Sequence, residues 1–212
     1  MTAALEDVLP LTGLQEAIVY RSTSPRVQGD VDPYLILADL ALDMTPGDTV
    51  DVERLRQAIS AVVARHAMLR TSFTRRRSGE PVARVHTDVE IELPVVDIAT
   101  VDGGLVGFRD RARADGIALN TPPPLRFTLL TEDDGPHRLF VVAHHVALDG
   151  WSLHLMLSEI VRTYRGDALP PVRAISEYSR WLADRGREVA PWVEALDGVE
   201  ASTTVDIVGP PI

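Results

Sequence analysis

A run of apolar residues interrupted by two adjacent histidines constrains the fold of this chain more than any other stretch. Residues 139–144 alternate between two sets of side chains with a period of two, which is typical of a strand buried on both faces. Apolar residues at helical spacing follow over 153–164, with Ser152 as the expected N-cap and Gly166 as the expected C-terminal cap. The stretch therefore predicts a strand, a short loop and an amphipathic helix.

The two histidines, His144 and His145, lie where the predicted strand ends. Neighbouring residues of an extended strand point to opposite faces, so the two imidazoles are expected to face different surroundings. Only one of them can then contact a given substrate. We therefore expect one histidine to take part in the chemistry and the other to be structural. A strand end that opens into a loop suits a site, because rigid backbone fixes side chains that face a cavity.

Composition restricts the class of protein. A chain of 212 residues with 45% hydrophobic content can bury a sizeable core. The absence of cysteine excludes disulfides, thiolate metal sites and a cysteine nucleophile. A net charge of −10, with arginine supplying all 21 basic residues, argues against nucleic acid or an anionic membrane as partner. Neither a signal peptide nor a long apolar span is recognisable, so a cytoplasmic location is expected.

The N-terminal part of the chain predicts helices and strands in alternation. Thr12 and Gln15 form a capping-box pattern, and Leu14, Ile18 and Val19 are expected to be the buried stripe of the helix that follows. We predict strands over residues 34–42, 82–86 and 89–96, a helix that begins after Asp51, and a further strand that ends at the arginine run 75–77. That run predicts a solvated hairpin tip, with a docking patch for an acidic partner as the alternative.

The C-terminal part of the chain supplies a neighbour for the histidine strand. Residues 133–136 read Asp-Asp-Gly-Pro between two apolar runs, which predicts an antiparallel hairpin of residues 125–130 with 138–144. Further helices are predicted over 104–116, 175–185 and 191–196, with Trp181 and Trp192 as packing anchors.

Residues 9–15, 65–73, 144–150 and 175–181 form four motifs, and in this order they resemble those of the condensation domains of nonribosomal peptide synthetases. Residues 144–150 match the HHxxxDG signature of that family, and Trp151-Ser152 continues it as the family usually does. The other three are residues 9–15, which resemble the family's opening motif, 65–73, which resemble RHExLRTxF, and 175–181, which resemble the segment after the central helix. Ala67 departs from the family's glutamate, which puts one local ion pair in doubt.

The resemblance implies an α/β fold, an α+β sandwich in which a mostly antiparallel mixed sheet is flanked by helices. Condensation domains have two lobes that each resemble chloramphenicol acetyltransferase, with the active site in a tunnel between them. Residues 1–212 correspond to the N-terminal lobe, and 200–212 to the start of the connection between lobes. The later DFGWG-like motif is absent, so the expected partners include a missing C-terminal lobe as well as donor and acceptor peptidyl carrier proteins.

The resemblance also implies a reaction and residue roles. The acceptor's amine attacks the donor's thioester, and both acyl groups are carried on phosphopantetheine arms, so no cofactor is expected on the chain itself. His145 would be the general base, or a group that orients the amine and stabilises the tetrahedral intermediate. The N–H of Gly150 would contact the oxyanion. His144 would be structural, and Asp149 would form an ion pair with Arg65 or Arg70.

Other interpretations of the same residues are weaker. Adjacent strand residues diverge, so His144, His145, Asp149 and His154 do not predict a metal site. Ser152 lacks the GxSxG elbow of a hydrolase, and no glycine-rich lysine loop for phosphate is present. Epimerisation or ester formation on the same scaffold remains an alternative, as does a non-catalytic module that recruits or binds carrier proteins.

Overall fold

The computed structural model describes residues 4–23, 31–42, 50–132, 136–185 and 189–200. The strands are β1 (Leu5–Pro10), β2 (Leu35–Ala41), β3 (Thr71–Arg75), β4 (Pro81–His86), β5 (Val95–Asp97), β6 (Leu125–Thr131) and β7 (Arg138–His144). The helices are α1 (Gly13–Ser22), α2 (Val52–Arg65), α3 (Gly104–Asp115), α4 (Gly150–Arg165), α5 (Ile175–Arg185) and α6 (Ala190–Ala195). Short 3₁₀ turns cover Ala67–Arg70 and Ile98–Thr100.

The larger sheet has the strand order β2-β7-β6-β5. The pairs β2–β7 and β6–β7 are antiparallel and the pair β5–β6 is parallel, so the sheet is mixed. Leu129 on β6 lies opposite Leu139 on β7, which confirms the predicted hairpin, although residues 133–135 of its turn lie outside the described residues. The histidine strand therefore has a hydrogen-bonded neighbour on each side.

The two faces of β7 enter different cores, as its period-two pattern predicts. Leu139, Val141 and Ala143 pack with residues of α2 and α4, including Ile59 and Ile160. The alternate residues Phe140 and Val142 pack on the α3 side, where Phe140 meets Phe108 edge-to-face at 5.0 Å between ring centroids. Helices thus cover both faces of the larger sheet, and the predicted α/β fold with a mixed, helix-flanked sheet is confirmed.

A smaller antiparallel sheet, in the order β1-β4-β3, has a core of its own. Leu9 and Phe73 from this sheet pack with Ile18 and Val19 from α1 and with Val146 from the loop after β7. The strand β1 was not predicted from the sequence. The expectation that Leu14 belongs to the buried stripe of α1 is wrong, because the Leu14 side chain is 71% exposed.

The predicted strand over 89–96 is wrong for most of its length. Only Val95–Asp97 form a strand, while residues 88–94 have no regular structure. Ile91 and Leu93 are nevertheless buried in the main core, and their alternation with exposed residues produced the strand-like pattern. Pro94 has no N–H to donate to a ladder, and it stands directly before the short strand.

The two tryptophans of the last helices are not packing anchors in this chain. Trp181 is 51% exposed and stacks on the surface with Tyr178 and the guanidinium of Arg185, while Trp192 is 69% exposed. Around α6, exposed apolar side chains recur at helical spacing; they belong to Val189, Trp192, Val193 and Leu196. These residues form an apolar stripe that no described part of the chain covers.

Among the helices that the structure describes, none combines the length and apolar character that a membrane span requires.

The contact between α2 and α4 gives a direct test of the main core. Ile160 on α4 has no exposed surface, so Ile160→Ala is expected to lower the free energy of unfolding by about 2 to 5 kcal/mol, measured by urea denaturation. Val106→Ala is the control, since Val106 on α3 is 68% exposed and its change should stay within about 0.5 kcal/mol. Equal effects of the two substitutions would contradict this assignment of the core.

Candidate active site

The candidate site is the loop 145–149, which connects the last residue of β7, His144, to the first residue of α4, Gly150. The backbone ladder of the sheet extends one residue into this loop, because the N–H of His145 donates to the Tyr34 carbonyl at 2.9 Å. The N–H of Ala147 then donates to the His144 carbonyl at 3.0 Å and turns the chain. The loop therefore begins from a fixed backbone.

His144 is completely buried, with 0% of its surface exposed. Its Nε2 lies 3.1 Å from Asp32 Oδ2 and 3.3 Å from Ser22 Oγ. Its Nδ1 accepts from the N–H of Val146 at 3.2 Å. Both ring nitrogens are thus occupied inside the protein, as a buried polar group requires.

These contacts assign the protonation state of His144. Since Nδ1 accepts a hydrogen bond, the single proton of the neutral ring lies on Nε2 and is donated to Asp32. Burial lowers the pKa of His144, and the neighbouring Asp32 carboxylate only partly opposes this effect. Burial would raise the pKa of Asp32, but hydrogen bonds from Tyr34 N–H, His144 and Ser22 hold it below its usual range.

His145, in contrast, is exposed. The prediction that the two histidines face different surroundings is confirmed. The residue after it, Val146, is buried, and both of its backbone groups are held by side chains: its N–H by His144 and its carbonyl by the Gln15 amide at 3.0 Å. An exposed imidazole therefore stands on a backbone that is bonded on both sides.

The N-terminus of α4 differs from the sequence prediction. Asp149, and not Ser152, is the N-cap, and its carboxylate accepts from the Ser152 N–H at 2.8 Å. That N–H also holds the pKa of Asp149 below its ordinary value. Aspartate and serine are comparable N-caps, so a sequence that offers both three residues apart leaves the start of the helix undecided.

Gly150 is exposed at the first position of α4. A Cβ at this position would meet nothing within 4 Å, so the space above its backbone is open. N–H groups in the first turn of a helix have no carbonyl partner within the helix and carry a partial positive charge. Gly150 is thus an exposed residue of the first turn of α4, with open space where a side chain would stand.

The predicted ion pair of Asp149 with Arg65 or Arg70 is wrong for the described residues. Arg65 lies 3.3 Å from Glu159 and also bonds the Pro170 carbonyl. Arg70 pairs with Glu6 at 2.7 Å and donates to the Ala64 carbonyl at 2.9 Å. Both guanidiniums thus pair with carboxylates other than Asp149, which is an exposed cap with a backbone partner.

Two cavities of the described structure differ in their relation to the loop. One of about 570 Å³ lies under the loop and is lined by Ala147, Leu148 and Ser152 together with Arg65 and Arg70. Another, of about 740 Å³, lies on the α3 side of the larger sheet and contains no residue of the loop. Neither includes the exposed His145 or Gly150, which face outward from this chain.

The residues that hold the histidines were not predicted from the sequence. Asp32, Ser22 and Tyr34 carry no local pattern that points to a site, because their contacts with His144 and His145 span more than a hundred residues. Gln15 was recognised as part of a capping box and of the family's opening motif, but not as a partner of the histidine loop. Within the described ranges, no group of three or more His, Asp or Glu side chains is arranged to hold a metal ion.

Comparison with known proteins identifies the family. The family model for the condensation domain matches residues 30–203. Tyrocidine synthase 2 of Brevibacillus parabrevis is 35% identical over 183 residues, which are 81% of this chain and 5% of that protein. The antimetabolite synthetase AmbE of Pseudomonas aeruginosa is 34% identical over 167 residues, which are 76% of this chain and 8% of that protein. The chain belongs to the condensation-domain family.

Solved structures agree on the fold. The first condensation domain of the calcium-dependent antibiotic synthetase, solved in complex with substrate analogue 3a, superposes with a TM-score of 0.74 at 18% identity. The superposition covers 94% of this chain and 51% of that one. The chain thus has the chloramphenicol-acetyltransferase-like fold of condensation domains, and spans about half the length of that solved domain.

The lowered pKa of His144 predicts a pH dependence of stability. In the unfolded chain this histidine titrates near its ordinary pKa of about 6.5. Below that pH the unfolded chain binds a proton that the folded chain does not bind. The stability contributed by the neutral ring is therefore complete above about pH 6.5 and is lost as the pH falls. The free energy of unfolding decreases by at most about 1.4 kcal/mol per pH unit.

Urea denaturation at several pH values between 7.5 and 5 measures how the free energy of unfolding depends on pH. This range spans the ordinary histidine pKa of about 6.5. We expect His144→Gln to flatten the decline in unfolding free energy toward low pH. His154→Gln, which removes an exposed histidine of α4, should leave the decline in place. If the unfolding free energy of the His144→Gln variant declined as much as that of the wild type, His144 would have the same pKa in the folded and the unfolded chain, and the prediction would be wrong.

Proposed function

We propose that this chain is the N-terminal lobe of a nonribosomal peptide synthetase condensation domain that joins two carrier-bound acyl groups through an amide bond. The observation that carries the proposal is the exposed His145 on a bonded backbone, next to the buried His144, in a chain of the condensation-domain family. The proposed partners are a donor carrier protein, an acceptor carrier protein and a second lobe. The substrates arrive on phosphopantetheine arms.

In the proposed reaction, the acceptor's amine nitrogen attacks the carbonyl carbon of the donor thioester. A C–N bond forms, and the resulting tetrahedral intermediate collapses with cleavage of the C–S bond and release of the donor arm as a thiol. The amine proton passes to His145 and from there to the leaving sulfur, so the imidazole is regenerated. The acyl chain, lengthened by one unit, remains on the acceptor arm.

The other residues of the motif support this chemistry in different ways. Gly150 is exposed in the first turn of α4 and has no side chain of its own, so its N–H is the proposed donor to the oxyanion of the intermediate. Asp149 orders the start of α4, since its carboxylate accepts from the Ser152 N–H. His144 is structural, because its ring has no exposed surface through which to reach a substrate. Arg65 and Arg70 stabilise the elements beneath the loop.

The exposed surface of the chain supports the interpretation that it is one lobe of a larger domain. The chain spans about half of the solved condensation domain it resembles, and its apolar stripe around α6 is uncovered in the described residues. His145 is exposed and lines neither of the two cavities described above. A second lobe opposite this surface would turn an open site into a tunnel.

Replacement of His145 tests the proposed chemistry in the complete module that contains this chain. We expect His145→Ala to lower the rate of transfer between two loaded carrier proteins by about two to four orders of magnitude, the usual effect of losing a positioned acid–base group. The thermal midpoint should stay close to that of the wild type, because the side chain is exposed. Mass spectrometry of the acceptor carrier protein measures the product.

His154→Ala is the matched control, since it removes an exposed imidazole from α4 outside the motif. Full activity of the His145→Ala module would refute the catalytic role. A wild-type module that binds both carrier proteins but forms no product would instead favour the non-catalytic recruitment module. Product that is epimerised, or an ester where the acceptor offers a hydroxyl, would identify the related reactions on this scaffold.

The lobe interpretation predicts that residues 1–212 do not catalyse amide formation by themselves. Alignment of two reactants contributes about 7 to 11 kcal/mol to lowering a barrier, and most of that should be lost when one wall of the site is absent. The same loaded carrier proteins, incubated with the isolated chain, should give product near the uncatalysed level. Turnover comparable to that of the complete module would show that the site is complete within this chain.

A further inference from the structure

Gln15 makes one contact that its place in the helix does not explain. In α1 it is the third residue after the N-cap Thr12, and it completes a capping box: its N–H donates to Thr12 Oγ1 at 3.2 Å, and its Oε1 accepts from the Thr12 N–H at 3.0 Å. Its Nε2, however, donates to the Val146 carbonyl at 3.0 Å, 131 residues away in the sequence.

The capping box alone requires only an acceptor at this position. Glutamate serves this motif as well as glutamine does, because the side-chain oxygen is the part that bonds the N-cap backbone. The amide nitrogen of Gln15 therefore has a separate partner and a separate use. It ties the first turn of α1 to the loop that carries His145.

The Val146 carbonyl completes the set of bonds around His145. The N–H of His145 is held by the Tyr34 carbonyl at 2.9 Å, and the N–H of Val146 is held by His144 Nδ1 at 3.2 Å. Those two bonds come from the residue just before β2 and from the end of β7. The bond from Gln15 is the contribution of α1, and it fixes the far side of the same residue pair.

We propose that Gln15 is a positioning residue for His145, an inference that rests on the proposed function of the site. Gln15 acts through the backbone of Val146 and does not need to touch a substrate. Loss of its N–H donor would leave the Val146 carbonyl without its side-chain partner and loosen the Val146–Ala147 peptide, the one that follows the residue after His145. A displacement of about 1 Å at a catalytic group lowers rates by about a hundredfold, so this freedom would be visible in turnover.

Gln15→Glu is the sharpest test, because it keeps the acceptor of the capping box and replaces the amide donor to Val146 with a carboxylate oxygen. In the complete module we expect kcat to fall about 10- to 100-fold, with little change in KM for either carrier protein and a thermal midpoint close to that of the wild type. Gln57→Glu is the matched control; its amide bonds Glu53 on the exposed surface of α2, and activity should be unchanged.

A pH profile separates positioning from general damage. A protonated glutamic acid can donate to the Val146 carbonyl, and a carboxylate that faces a carbonyl oxygen titrates above its ordinary pKa of about 4.3. The activity of Gln15→Glu relative to the wild type should therefore rise as the pH falls from 7.5 toward 5.5, whereas Gln15→Leu, which has no donor at any pH, should show no such rise.

Hydrogen–deuterium exchange of the peptide that contains residues 144–150 gives a readout that does not need turnover. We expect faster exchange in Gln15→Glu and Gln15→Leu than in the wild type or Gln57→Glu. If the wild-type module is inactive, the proposed function fails, and the exchange still decides whether Gln15 holds the loop. The inference would be overturned if exchange or activity were unchanged in the two Gln15 variants. It would also be overturned if both variants lost activity and thermal stability equally and neither recovered activity at low pH.

Discussion

The buried imidazole of His144 is the constraint on which the site depends. A ring with 0% exposure has to satisfy both nitrogens inside the protein, and it does so with Asp32 on one side and the Val146 N–H on the other. The second bond is available only if the chain turns directly after the strand. The geometry that accommodates a buried histidine thus also sets the direction in which its exposed neighbour, His145, leaves the sheet.

The partners of this loop come from three places in the fold, and each of these is far from the loop in the sequence. Tyr34 and Asp32 come from the entrance to β2, Ser22 from the end of α1, and Gln15 from its first turn. They converge because β7 lies between β2 and β6, and because α1 packs with the loop residue Val146 in the smaller core. The loop is therefore held by long-range contacts, and its geometry depends on the completed fold.

Periodicity predicted the elements whose burial follows a simple pattern. The strand β7 and the helices α2 and α4 were recognised because their apolar residues recur at the spacing of the buried face. The same reasoning failed for residues 89–96, where Ile91 and Leu93 are buried from an irregular segment, and for Trp181, which is aromatic and yet exposed. A pattern reports which residues prefer burial, but it does not report which partners are within reach. For that reason Asp32 could not be predicted as the partner of His144, and the arginine partner expected for Asp149 was wrong.

The chain holds the proposed site firmly on its interior side and leaves the site open on its exterior side. Toward the interior, the backbone on both sides of His145 is bonded, so little entropy remains to be lost there when a substrate binds. Toward the exterior, His145 and Gly150 are exposed, and the proposed function assigns the alignment of two thioesters against them to a second lobe. Acid–base assistance typically contributes about two to four orders of magnitude, whereas alignment of reactants contributes about 7 to 11 kcal/mol. In the proposed reaction the larger share of the rate enhancement must therefore come from whatever faces this surface, while this chain contributes an exposed imidazole whose backbone is already held before either carrier protein arrives.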